Sequence, residues 1–109
     1  MSTTTNFEAV MSSEDATSWL SGKSAEEVFD QIKKLAGNKK KTINRENAIV
    51  LFACYFEGVQ PSLELEILRN WVIVLTLAGD NNQVVAERAR DLSRIIFDHF
   101  SKYSCKGYM

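Results

Sequence analysis

The sequence predicts an all-α fold: a small four-helix bundle-like domain with short loops and an N-terminal tail that is either flexible or docked. Three observations lead there. Apolar residues recur at helical spacing in four stretches of the chain, and a capping box opens the first of them. Single glycines (Gly37, Gly58, Gly79) fall just beyond the first three stretches, where helices commonly stop. Finally, 109 residues with five Gly and one Pro make one domain, with few of the tight turns that a β-sandwich requires.

Residues 1–22 are rich in Ser and Thr and read as the tail. Phe7, Val10 and Met11 follow Asn6 at the spacing of one helical turn, and Trp19 with Leu20 forms a second apolar pair. A flexible tail is the simplest account of this segment. The alternative is a tail whose Phe7 and Trp19 dock on the domain or on a partner, because an isolated Trp is unusual on a linker.

The helical domain spans residues 23–103. Its first helix, 24–36, starts at Ser24-Ala25-Glu26-Glu27, where the hydroxyl and the carboxylate satisfy each other's backbone N–H groups. Val28, Phe29, Ile32 and Leu35 form its apolar face. Glu26, Glu27 and Asp30 sit toward its start and Lys33 and Lys34 toward its end, as the helix dipole favours. The second helix, 44–57, contains the apolar run Ala48–Phe56, which a buried strand also fits. Asn44 as a cap, Ile49/Phe52/Ala53/Phe56 at helical spacing and two alanines favour helix.

The third helix, 62–78, contains β-rich stretches. Its polar residues Glu66, Arg69, Asn70 and Thr76 nevertheless share one helical stripe, interrupted by Ile73, opposite Leu63, Ile67, Leu68, Trp71, Val74, Leu75 and Ala78. Pro61 suits a helix start. Leu65, Val72, Ile73 and Leu77 extend the apolar surface beyond one stripe. The fourth helix, 82–103, carries Val85, Ala89, Leu92, Ile96, Phe100 and Tyr103 on one face and charges on the other, with Phe97 set apart from the stripe. Residues 104–109 read as a C-terminal tail.

Chemistry-bearing motifs are sparse. The one histidine, His99, lies at the edge of the apolar stripe, as a packed or half-exposed residue would. Cys54 lies in an apolar run and Cys105 in a polar tail, so a buried thiol and a free one are expected rather than a disulfide. No spacing of His and Cys suits zinc, and no glycine-rich loop suits phosphate. The carboxylate pairs lie on charged faces. The expectation is therefore no catalytic residue, no metal and no cofactor. No basic-then-apolar leader opens the sequence, and no apolar run approaches the roughly 20 residues of a membrane span. An intracellular, cytoplasmic protein is expected.

The net charge of −1 excludes a surface that is basic throughout. The charges are segregated, however: Lys33, Lys34, Lys39, Lys40, Lys41 and Arg45 fall together with no acidic residue among them. A solvated loop is the simplest account. A nucleic-acid or anionic-phosphate site is the alternative, acting through point charges without base readout.

The function expected first is a non-catalytic protein–protein interaction module: a small regulator, adaptor or inhibitor that presents a surface. Its binding residues are expected to be Trp71, Ile73, Leu77 and Phe97, with Phe7 and Trp19 of the tail. Four helices cannot easily surround the third and also cover Phe97, so a homodimer or an obligate partner is expected to cover part of this surface.

Overall fold

A computed structural model describes residues 9–58 and 64–107 of the chain. Every regular element among them is a helix: α1 (Ser13–Leu20), α2 (Ala25–Ala36), α3 (Thr42–Gly58), α4 (Glu64–Arg69), α5 (Trp71–Ala78) and α6 (Gln83–Gly107). The all-α bundle-like fold is the one the periodicities predict. No helix among the described residues is long and apolar enough to cross a membrane.

The long helix α3 is the hub. It packs against α1, α2 and α6, while α5 lies along α6. This position explains why α3 is apolar around most of its circumference: Ala48, Ile49, Leu51 and Phe52 are all buried. Phe29 of α2 meets Phe52 and Tyr55 of α3 edge-on, with ring centroids 5.4 and 5.3 Å apart. Such geometry sets the positive edge of one ring against the negative face of another. Ile67, Val74 and Leu77 of α4 and α5 close the core with Val85, Ala89, Leu92 and Ile96 of α6.

The start of α2 is as expected. The Ser24 hydroxyl accepts from Glu27 N–H and the Glu27 carboxylate accepts from Ser24 N–H, completing the capping box. The backbone N–H and then the hydroxyl of Ser24, both donating to the Glu27 carboxylate, with the nearby Lys23 charge, hold that carboxyl below its usual range. Helix α6 is capped by Asn82, whose side-chain oxygen accepts from Val85 N–H.

Three departures from the sequence expectation have physical causes. First, part of the N-terminal segment is helical. Ser12 caps α1 by accepting from Asp15 N–H, and Ala16 is wholly buried against the core with Trp19 and Leu20 packed beside it. Ahead of α1, the fully buried Asn47 accepts from Met11 N–H at 2.7 Å and donates to Ala9 C=O at 3.0 Å. Gly22, with φ of 77°, turns the chain from α1 into α2, a backbone conformation that costs other residues steric strain.

Second, α3 begins at Thr42, so Asn44 lies inside the helix and is completely buried rather than capping it. Third, the expected helix 62–78 is two helices broken at Asn70, whose φ of −104° and ψ of 10° leave the helical region. The Asn70 side-chain amide donates to Glu66 C=O at 2.8 Å. The backbone remains helical through Gly107, past the expected end at 103. Pro61 and Leu63, and the side chains of Leu65, Tyr103 and Cys105, lie outside the described residues.

Candidate functional site

Asn70 determines which residues of α4 and α5 face outward. Because its amide is satisfied by the preceding turn, Asn70 sits inside, and the buried seam runs Ile67, Asn70, Val74, Leu77. The seam is therefore rotated from the stripe expected by sequence, where Asn70 was polar surface. Leu68, Val72 and Leu75 turn outward and are 49%, 62% and 48% exposed. Phe97 of α6 is 64% exposed. Between the two elements lies a cleft of about 200 Å³ lined by Leu68, Trp71, Ile96, Phe97 and Phe100. Single exposed apolar side chains are ordinary, but a contiguous group beside an apolar cleft marks an interaction surface.

The residues expected to bind a partner are thus divided. Trp71 and Phe97 meet at this cleft. Leu77 is corrected: it is buried in the core at the end of the Ile67–Leu77 seam. Ile73 is half-buried, packed against the core like Trp71, but does not line this cleft. Trp19 lies on α1, with the Lys23 ammonium 4.3 Å from its ring centroid, and does not line the cleft. Phe7 lies outside the described residues. Leu68, Leu75 and Phe100 were missed as outward or cleft residues, because a continuous helical wheel puts them on the core side. The signal that finds them is a seam of period 3.5 at 67, 70, 74 and 77, which requires accepting an asparagine inside.

The basic segment is also divided. Lys33 and Lys34 are exposed on α2, and Lys34 pairs with Asp30 at 3.4 Å. Lys39, Lys40 and Lys41 are exposed on the α2–α3 connection, where the Asn38 side chain accepts from the backbone N–H groups of Lys40 and Lys41. Arg45 is a correction: it is buried, not part of an exposed basic patch. Its Nε and Nη2 donate to the two oxygens of Asp80 at 2.8 and 3.1 Å, and its Nη1 donates to the carbonyls of Asn38 and Lys39. Arg45 thereby staples the connection before α3 to the turn before α6. Burial alone raises the Asp80 carboxyl. The hydrogen bonds from Arg45 and from Asn82 N–H, with the charges of Arg45 and Lys39, outweigh it and hold the group below its ordinary value.

His99 is exposed, with Phe56 and Phe100 edge-on to its ring at 5.3 and 5.1 Å. Cys54 is half-buried beneath α1; burial, followed by the Glu57 charge, pushes its thiol up, away from the reactive thiolate. Burial likewise raises the Tyr55 hydroxyl. No group of three or more His, Cys, Asp or Glu among the described residues is placed to hold a metal ion. A wider cleft of about 510 Å³ between α2 and α4 mixes Glu26, Asp30 and Glu66 with Lys33 and Arg69.

Comparison of the chain with family models, curated proteins and solved structures finds no match.

Proposed function

We propose that the domain is a non-catalytic protein-interaction module, a small regulator, adaptor or inhibitor that works by presenting the α4–α5–α6 face to another polypeptide. One observation carries this reading: Leu68, Val72, Leu75 and Phe97 are each about half exposed or more, beside a cleft with an apolar lining. Leaving such surface in water forfeits roughly 25 cal/mol for each Å² that a partner would cover. The face is also built on helices that the core holds in place, so little ordering is needed on binding. A second copy of the chain is the occupant that counting apolar faces favours, since two-fold pairing is the commonest way to cover such a surface. The basic segment is the weaker site, because Arg45 is committed to Asp80.

The test is isolation of the tagged chain with its native partner, repeated with Val72→Glu, Phe97→Glu and, separately, Lys39, Lys40 and Lys41 all changed to Gln. The first two variants keep the helical circular dichroism and lose the partner, while the lysine variant retains it. Recovery unaffected by either glutamate overturns the proposal. Loss only in the lysine variant, with recovery falling steeply as salt rises, reassigns the site to the basic segment.

A further inference from the structure

We draw no further inference here: the strongest candidate, the groove between α3 and α6 lined by Ile49, Val50, Ala53, Leu92 and Ile95, carries nothing because nothing in the structure shows what covers it.

Discussion

Replacing Asp80 by Asn isolates the electrostatic staple between the two ends of the bundle's connections. The substitution preserves shape and an oxygen that can still accept from Asn82 N–H, but it leaves the Arg45 guanidinium buried without its counter-charge. The side chains of Arg45 and Asp80 retain only 10% and 13% of their exposure. Removing one partner from a buried pair costs about 3–5 kcal/mol. The residual exposure and the two carbonyls that Arg45 keeps place this case near the lower end, at about 3 kcal/mol. For a domain of this size that is a fall of about 12 °C in Tm. The pH dependence provides an internal check. The folded Asp80 carboxyl is held below its ordinary value, so its stabilisation is fully present above the unfolded pKa of about 3.9. It is lost as pH falls through the lower folded value. Urea unfolding followed by circular dichroism at pH 7 and at successively lower pH should therefore show the gap between wild type and Asp80→Asn narrowing only below about pH 4. A gap under about 1 kcal/mol at pH 7, the worth of an exposed pair, refutes the staple, as does a gap that persists unchanged in acid.

Asn47→Ala removes both hydrogen bonds that hold residues 9–11 against α3. Hydrogen exchange at Met11 N–H should accelerate, with a stability loss of about 1–3 kcal/mol, whereas unchanged protection there disproves the clamp. Gly22→Ala forces a side chain onto a φ of 77° and should cost about 1–2 kcal/mol in thermal unfolding. Gly58→Ala, where an added methyl meets nothing within 4 Å, should cost no stability.

The helices legible in the sequence are those whose apolar residues keep one helical spacing, which the buried Gln31 of α2 does not disturb. Helix α2 and the core face of α6 follow from spacing and caps alone, because every apolar position on them has one destination. The errors concentrate where a polar side chain is buried with its hydrogen bonds satisfied. Asn44 reads as a cap and Arg45 as an anion ligand, yet both lie within the core-facing turn of α3. The Arg45 partner, Asp80, is 35 residues away in sequence, and no local pattern announces it. Helix α1 carries a weaker signal: Ser12 with Asp15, followed by Ala16, Trp19 and Leu20 at helical spacing. Its single buried alanine is too slight a stripe to separate it from a linker until α3 is seen to supply the opposing surface.

Asn70 shows how one such residue reaches the functional face. Treated as polar surface, it orients α4 and α5 so that Leu68 and Leu75 go inward and Leu77 becomes available to a partner. With its amide bonded to Glu66 C=O, the asparagine costs little to bury, and the wheel turns by one position. Leu77 then fills the core and Leu68, Val72 and Leu75 face water. The surplus of apolar residues on this segment is plain from composition, since it exceeds what one core-facing stripe can hold. Which of them form the surplus depends on whether a single amide finds an acceptor four residues earlier. The candidate face is thus legible as an excess of apolar surface, and its membership is decided by one side-chain hydrogen bond.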